Sequence, residues 1–316
     1  MKRLAVEVRD LQGSYGERLA LDGLDFEVGS GECFAVLGPN GSGKSTLFSI
    51  LSTLKQPDSG VVKVLGFDLL ESPDAVRRSL GVVFQFPSLD KKLTVFENLW
   101  HQGHLHGLRG RGLRERVSSL LSRFGLGERH GERLETLSGG LARRVEIAKA
   151  MLHEPKILLL DEPSTGLDPR SRRDLADLLF GLGRESGTTV LLTTHLLEEA
   201  DACSSVLILD EGKRVAMGTP DELKSQIGGG VITLESIELE SLRKDLSQEL
   251  RLEGKMVGTG LRFEVEDPHE VARRLGEGFG ERLDLITIGK PSLEDVFLDR
   301  TGRSFNGSSA QPGGEG

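Results

Sequence analysis

The sequence predicts an α/β fold over its first two thirds, followed by a smaller α+β region. Three features support this prediction. Short apolar runs alternate with helical patterns, as at Cys33–Leu37, Ile157–Leu160 and Val206–Leu209. The first of these runs ends in a glycine-rich loop that leads into a helical pattern. Three consecutive glycines, beginning at Gly228, then separate this alternation from a region with a different pattern.

The individual elements are predicted from hydrophobic periodicity and from turn residues. In the first region, strand patterns occur at Leu4–Arg9, Leu24–Val28, Cys33–Leu37, Val61–Val64, Ile157–Leu160, Thr189–Leu192 and Val206–Leu209. Helical patterns occur at Ser45–Leu54, over much of 91–136, from Ser138 to Pro155 and at Ser171–Leu182. In the second region, strands are predicted at Val231–Glu235, Leu261–Val265 and Leu283–Ile288, and helices at Ser236–Leu250, His269–Leu275 and around Leu293–Leu298.

Composition argues against several classes of protein. The 316 residues carry 49 acidic and 40 basic side chains, a formal charge of -9, so we expect no nucleic-acid partner. Two cysteines, Cys33 and Cys203, are too few for a disulfide framework and are expected to be buried thiols. No run of about 18 apolar residues occurs, and Met1–Asp10 does not resemble a signal peptide. We therefore expect the chain itself not to cross a membrane.

The glycine-rich loop carries the strongest chemical signal. It fits the pattern G-x-x-x-x-G-K-[ST] between an apolar strand and a helix, which is the context of a phosphate-binding loop. Glycines let backbone amides turn toward phosphate oxygens, and the helix N-terminus adds its dipole. Lys44 is expected to reach the β and γ phosphates, and the Ser45 hydroxyl to bind magnesium. The candidate nucleotide-binding residues here are Gly38, Pro39, Asn40, Gly41, Ser42, Gly43, Lys44, Ser45 and Thr46.

Two acidic residues directly follow the apolar run Ile157–Leu160. A hydrophobic strand that ends in acids places carboxylates at the sheet edge where nucleotides bind. Asp161 is expected to hold magnesium, directly or through water, and Glu162 to orient and polarise the attacking water. The phosphate-binding loop alone leaves GTPases, kinases and many ATPases open.

The segment Leu137-Ser138-Gly139-Gly140 resembles the signature of the ABC transporter ATPase family. The resemblance implies that Ser138, Gly139 and Gly140 contact nucleotide at the start of a helix. Leu141 stands where this family usually has glutamine. The feature that remains is a serine and two glycines that open a helix toward anionic phosphate.

Further motifs resemble those of the same family and occur in its order over residues 4–225. Tyr15 is similar to the aromatic residue that stacks on adenine. Gln85 matches the glutamine that contacts magnesium and water and touches the membrane partner. Asp168 lies in a segment similar to the D-loop, and His195 matches the switch histidine that senses the γ phosphate. The resemblance thus implies catalytic roles for Glu162, His195, Lys44 and Gln85, and magnesium ligands at Ser45, Gln85 and Asp161.

The resemblance also implies an architecture. Residues 1–227 would form an ATPase domain, in which a P-loop NTPase core carries an antiparallel β subdomain and a helical signature subdomain at about 91–153. Residues 228–302 would form a small α+β domain, and 303–316 a disordered tail. The implied cofactors are ATP and Mg²⁺. Two copies would form a homodimer, with ATP between the phosphate-binding loop of one copy and the signature of the other.

A separately encoded membrane permease is the implied partner, with the chain peripheral on the cytoplasmic face of the cell membrane. Residues around Gln85 would receive a helix of that permease, and the candidates are Phe86, Pro87, Leu89, Val95 and Phe96. The closing segment Pro291–Leu298 is similar to the ending of ATPases that serve drug, antibiotic or lipid exporters. This similarity favours export over uptake.

Two alternatives differ in function. One is a soluble, non-transport ABC ATPase of DNA repair or translation, but such proteins usually carry two cassettes or a long coiled-coil insertion. The other is a regulatory module that binds ATP as a ligand, and the presence of Glu162 argues against it. A metal cluster at His101, His104 and His106 is also considered. Because no cysteine is near, a polar helix face is the preferred interpretation.

Overall fold

The computed structural model describes residues 3–257 and 260–305. The chain divides into two compact units, residues 1–217 and 218–316. The boundary expected at Gly228 therefore falls inside the second unit. Of the tail predicted at 303–316, residues 306–316 lie outside the described residues.

The first unit contains ten strands and seven α-helices among its described residues. In chain order the strands are β1 (Leu4–Tyr15), β2 (Arg18–Gly29), β3 (Cys33–Leu37), β4 (Ser59–Val64), β5 (Phe67–Asp68), β6 (Leu80–Val83), β7 (Ile157–Asp161), β8 (Thr189–Thr194), β9 (Ser205–Asp210) and β10 (Lys213–Gly218). The helices are α1 (Lys44–Leu51), α2 (Pro73–Ser79), α3 (Val95–Leu105), α4 (Gly110–Arg123), α5 (Gly139–Ala150), α6 (Pro169–Ser186) and α7 (Leu197–Asp201).

A six-stranded sheet in the order β10-β9-β3-β8-β7-β6 forms the centre of this unit. Strands β9, β3, β8, β7 and β6 are parallel neighbours. All five residues of β3 are buried, as expected for a strand covered on both faces. Helix α1 packs on β7 and β8, and α6 packs on β3 and β8. This is the doubly covered parallel sheet that the alternating pattern predicts.

A second, antiparallel sheet has the order β2-β1-β4-β5 and shares one hydrophobic core with α1. Strand β1 extends to Tyr15, well beyond the predicted end at Arg9. Irregularities in its pairing with β2 keep the polar stretch after Arg9 inside the strand.

Helices α3, α4 and α5 pack together and occupy much of the region predicted to be helical. Helix α3 begins at a capping box between Thr94 and Glu97. Val95 is fully buried, so the prediction that it lines a groove for a permease helix is wrong. The ring of Phe96 stacks on Trp100 with centroids 5.4 Å apart. Across the described ranges, no helix combines the length and the apolar character needed to span a bilayer.

The second unit is an α+β structure. Its elements are α8 (Pro220–Ser225), β11 (Gly230–Glu235), α9 (Leu239–Glu249), β12 (Lys255–Val257), β13 (Gly260–Val265), α10 (Pro268–Phe279), β14 (Leu285–Gly289) and α11 (Leu293–Thr301). The sheet has the order β12-β13-β11-β14 and is antiparallel. Alternate residues such as Ile232 and Leu234 pack against Leu242 and Leu246 of α9. The sequence predicts three of these strands and misses the short β12.

Candidate active site

Four neighbouring parallel strands deliver the candidate catalytic residues to one edge of the central sheet. The phosphate-binding loop follows β3, His195 follows β8, Asp161 ends β7, and Gln85 lies two residues after β6. The carboxyl ends of parallel strands share one edge, which is where α/β proteins bind ligands. The sheet topology therefore gathers segments that are far apart in the sequence.

The phosphate-binding loop has room only for glycine at two of its positions. Gly43 caps the start of α1 with a φ of 108°, a conformation that disfavours other residues. A Cβ atom there would lie 2.4 Å from the carbonyl oxygen of Ala20. At Gly38, a Cβ atom would lie 2.4 Å from the carbonyl oxygen of Leu209. The loop is therefore held tightly against its own unit, and its helix N-terminus is suited to an anion.

Lys44 lies inside this loop, with 5% of its side chain exposed. Its Nζ donates to the carbonyl oxygens of Gly38 at 2.7 Å and Pro39 at 2.9 Å. The same Nζ lies 3.9 Å from Oε1 of Glu162. Burial lowers the pKa of Lys44, whereas the negative charges of Glu162 and Asp161 act to raise it. The ammonium is thus positioned beside the phosphate cradle and beside the two acids.

Asp161 ends β7 and is partly buried. Burial raises the pKa of its carboxyl group. The hydroxyl of Thr193 donates to its Oδ1 at 2.6 Å, and this bond acts in the opposite direction. Thr193, on β8, is a residue of the site that sequence reasoning does not single out.

Glu162 follows Asp161 and has a φ of 42°, which is uncommon for a residue other than glycine. Its backbone N–H donates to the carbonyl oxygen of Thr193 at 3.1 Å. Its Oε2 accepts from the hydroxyl of Thr165 at 3.1 Å. The same Oε2 lies 3.1 Å from Nδ1 of His195, although the imidazole is not aligned for a hydrogen bond. Glu162 therefore lies between Lys44 and the histidine.

Ser45 and Gln85 are exposed, and within residues 3–257 and 260–305 neither side chain makes a hydrogen bond to the protein. A hydroxyl, a carboxylate and an amide oxygen are the hard ligands that suit Mg²⁺, so Ser45, Asp161 and Gln85 fit this ion chemically. In the described part of the chain, no three His, Cys, Asp or Glu side chains are grouped to hold a metal. Mg²⁺ needs no such group, because substrate phosphates and water supply most of its ligands.

The signature segment presents an exposed helix N-terminus. Ser138 caps α5, and its Oγ accepts from the backbone N–H of Leu141 at 3.4 Å. Ser138 and Gly139 are exposed, and Gly140 is half-buried. Within the single chain, no described contact joins these three residues to Lys44, Asp161 or Glu162.

Asp168 caps α6, which is a different use from the predicted nucleotide contact. Its Oδ1 accepts from the backbone N–H groups of Arg170 and Ser171, both at 3.0 Å. Its Oδ2 accepts from the hydroxyl of Ser171 at 2.6 Å. These bonds, led by that hydroxyl, lower the pKa of Asp168.

Tyr15 lies at the end of β1 and is 79% exposed. Two residues earlier, Gly13 lies against α1, so that a Cβ atom would come 3.3 Å from Cγ2 of Thr46. The strand that carries the tyrosine therefore packs beside the first turn of the phosphate-binding helix. An exposed ring in this place is available for stacking.

Arg143 is the other residue that sequence reasoning misses. It is buried on α5, and its Nε donates to the carbonyl oxygen of Pro163 at 2.7 Å. It also pairs with the buried Glu146 three residues later. This spacing is a sequence signal for an ion pair on a helix, but it carries no signal for burial.

Known proteins resemble this chain in sequence and in fold. The sequence profile of the ABC transporter family matches residues 21–165. The chain is 40% identical to the daunorubicin/doxorubicin resistance ATP-binding protein of Streptomyces peucetius, over 98% of this chain and 96% of that protein. The chain belongs to the ABC transporter family. The family resemblance inferred from the motifs is thereby confirmed.

A second relative is the Nod factor export ATP-binding protein I of Rhizobium sp. (strain N33), which is 39% identical over 96% of this chain and 99% of its own length. A solved ATP-binding cassette, a dimer in a post-hydrolysis state with ADP and Pi, has a TM-score of 0.61 and 29% identity. It covers 68% of this chain and 98% of its own. As a member of this family, the chain is an ATP-binding ATPase, and the predicted fold class is confirmed.

Proposed function

We propose that this chain is the ATP-hydrolysing subunit of an exporter and works with a separately encoded membrane permease. The observation that carries the proposal is the grouping of Lys44, Glu162 and His195 beside the phosphate-binding loop. Relatives named for drug resistance and for Nod factor export support the exporter assignment and do not favour the soluble, non-transport alternative. The similarity of Pro291–Leu298 to exporter ATPases agrees with it.

In the proposed mechanism, the backbone amides of the loop from Gly38 to Thr46 bind the phosphates of ATP. Lys44 donates to the β and γ phosphate oxygens in place of its present carbonyl partners. Glu162 orients the attacking water and accepts its proton, which is the role its carboxylate can fill beside the phosphate cradle. His195 lies next to that carboxylate and is placed to respond to the γ phosphate.

Ser45, Asp161 and Gln85 would hold Mg²⁺. The ion, when bound, neutralises charge on the β and γ phosphates. Asp161 offers a carboxylate whose burial disfavours its charged form in the absence of a cation. The hydroxyl of Thr193 keeps that carboxylate in one orientation.

We also propose that two copies enclose ATP between the phosphate-binding loop of one and Ser138, Gly139 and Gly140 of the other. The exposed N-terminus of α5 supports this, because such a terminus is suited to phosphate and is left open within one chain. The dimeric state of the similar ATP-binding cassette also supports it. Asp168 and Tyr15 would complete the site through the D-loop and by stacking on adenine.

The loop of residues 84–88 is the proposed contact with the permease. Phe86 is 81% exposed, and Pro87 beside it is also exposed, so an apolar surface is available. Leu89 is half-buried next to them. Binding to a permease would place the chain at the cytoplasmic face of the cell membrane. The net charge of -9 gives no support to a nucleic-acid partner.

Glu162→Gln tests the proposed function directly. The variant keeps the size and most contacts of the side chain but cannot accept a proton. We expect kcat for ATP to fall by roughly 10²-fold or more, while ATP affinity stays near that of the parent. Glu185→Gln, at an exposed glutamate paired with Arg123, is the matched control and should leave kcat unchanged. If Glu162→Gln hydrolyses ATP at the parent rate, the assignment of the catalytic site is wrong.

A further inference from the structure

The loop of residues 84–88, which carries Gln85, is held at both ends by helix α5. At its start, the carbonyl oxygen of Phe84 accepts from Nη1 of Arg143 at 2.8 Å. At its end, the N–H of Ser88 donates to Oε1 of Glu146 at 2.7 Å. Nζ of Lys149 donates to the carbonyl oxygen of the same Ser88 at 2.7 Å. Both ends of the loop are therefore attached to α5 by side-chain hydrogen bonds.

The guanidinium of Arg143 also holds the main chain at the end of β7. Its Nε donates to the carbonyl oxygen of Pro163 at 2.7 Å. Its Nη2 lies 3.3 Å from the carbonyl oxygen of Asp161 and 3.4 Å from that of Glu162. An arginine has five N–H donors in a rigid fork. This fork is used in full, with the Gln85 loop on one side and the catalytic acids on the other.

Arg143 and Glu146 form a buried ion pair. Their side chains are 8% and 5% exposed, and Nη1 donates to Oε2 at 2.7 Å. A buried charge that loses its partner is strongly unfavourable, so neither residue can change position without the other. The pair is therefore a rigid link on α5, in contrast to the exposed ion pairs elsewhere on the chain.

The geometry of Glu162 depends on its main chain being fixed. Its φ of 42° is a conformation that persists only where the surroundings enforce it. The carbonyl oxygen of Thr193 accepts from the N–H of Glu162, and Nη2 of Arg143 lies 3.4 Å from the carbonyl oxygen of Glu162. Together these contacts direct the carboxylate toward Lys44 and His195.

We propose that Arg143, paired with Glu146, is a positioning residue that couples the Gln85 loop to the carboxylate of Glu162. The inference rests on the proposed function, since it takes Glu162 as the group that activates water. When a partner binds at Phe86 and displaces the loop, the guanidinium of Arg143 transmits that displacement to the main chain of Glu162. The signature serine, Ser138, caps the same helix, so nucleotide contacts there are linked to both.

Arg143→Lys tests the proposal in the purified full-length chain. Lysine keeps the charge but cannot contact both segments at once. The matched control is Arg116→Lys, because Arg116 also donates to carbonyl oxygens, those of Met151 and Leu152, and pairs with Glu154 away from the site. For Arg143→Lys we expect kcat to fall about tenfold or more, with KM for ATP within about twofold. Arg116→Lys should keep the parent kcat at a similar Tm.

A parent-like kcat in Arg143→Lys would overturn the proposal. So would a loss of activity that matches the unfolded fraction, or an equal loss in Arg116→Lys, since both indicate a purely structural role. If Arg143→Lys does not fold, Glu146→Gln decides: it keeps a hydrogen-bond acceptor for Ser88 but removes the charge, and a parent kcat there is equally contradictory. Glu162→Gln in the same assay separates the two claims, because only its failure to stall would count against the proposed function.

Discussion

The phosphate-binding loop and the signature segment both place the N-terminus of a helix where phosphate is expected, yet they are built differently. In the loop, Lys44 is buried and a Cβ atom at Gly43 would collide with main chain. In the signature segment, Ser138 and Gly139 are exposed, and a Cβ atom at Gly139 would approach no closer than 3.5 Å to Leu167. Lys44 and Gly43 are therefore confined by their own chain, whereas Ser138 and Gly139 lie at the surface. Substitutions should act on folding and binding at the first two positions, and on function alone at the second two.

The largest expected difference concerns nucleotide affinity. Lys44→Ala removes charge-assisted hydrogen bonds to phosphate and should weaken ATP binding by roughly 10- to 100-fold. Ser138→Ala should leave the affinity of the isolated chain within about twofold, because no described contact links Ser138 to Lys44. Titration of each purified variant with a fluorescent ATP analogue measures both values. Equal losses of affinity in the two variants would show that the signature segment contributes to ATP binding within the isolated chain, contrary to this prediction.

The second difference concerns stability. Gly43→Ala puts a side chain at a φ of 108° and against the carbonyl oxygen of Ala20, so it should lower the free energy of unfolding by about 1–3 kcal/mol. Gly139→Ala, in the first turn of α5, should change it by less than about 1 kcal/mol and toward greater stability. Urea denaturation of the two variants provides the comparison. A strongly destabilised Gly139→Ala would mean that the signature segment is not the open surface described.

The third and smallest difference concerns two acids outside these segments, Asp161 at the end of β7 and Asp168 at the start of α6. Burial raises the pKa of Asp161, so the unfolded chain releases this proton at a lower pH than the folded chain. Its contribution to stability is present below the usual aspartate pKa of about 3.9 and is lost as the pH rises through the folded-state pKa. Measured without nucleotide, the difference between the Tm of Asp161→Asn and the Tm of the parent should therefore shift in favour of the variant as the pH rises above about 4.

Asp168 provides the matched control with the opposite sign. Hydrogen bonds donated by a hydroxyl and by backbone N–H groups lower the pKa of Asp168. Its ionised carboxylate therefore stabilises the folded chain above the usual aspartate pKa. That contribution is lost as the pH falls through the folded-state pKa. Relative to the parent, the Tm of Asp168→Asn should thus fall as the pH rises toward about 4, and should change no further in the range above about 4 in which Asp161→Asn gains. Tm profiles with the same sign for both variants would contradict these environments.

The sequence predicts what is local. The pattern from Gly38 to Ser45 needs only its own spacing and the flanking strand and helix, and the structure has both. The acids Asp161 and Glu162 are found because a parallel strand ends where ligands bind. The role of Asp168 as the N-cap of α6 is also local, but the resemblance to a D-loop predicts a nucleotide contact instead.

What the sequence does not predict depends on tertiary neighbours. In the sequence, Arg143 looks like an exposed charged residue in a polar helix. Its burial is evident only from the packing of α5 against the Gln85 loop and the end of β7. Strand β6 is missed because it begins directly after α2 ends at Ser79, so that no turn residues mark its start. The burial of Val95 likewise follows from helix packing that the sequence does not reveal.

The central claim is that one active site is completed by two chains. It is tested most directly by the solution mass of Glu162→Gln with and without ATP and Mg²⁺, measured by light scattering after gel filtration. We expect one chain mass without nucleotide and twice that mass with it. We also expect that adding Ser138→Arg to Glu162→Gln abolishes the dimer but not ATP binding. A variant that binds ATP and stays monomeric, or a dimer indifferent to Ser138→Arg, would contradict it.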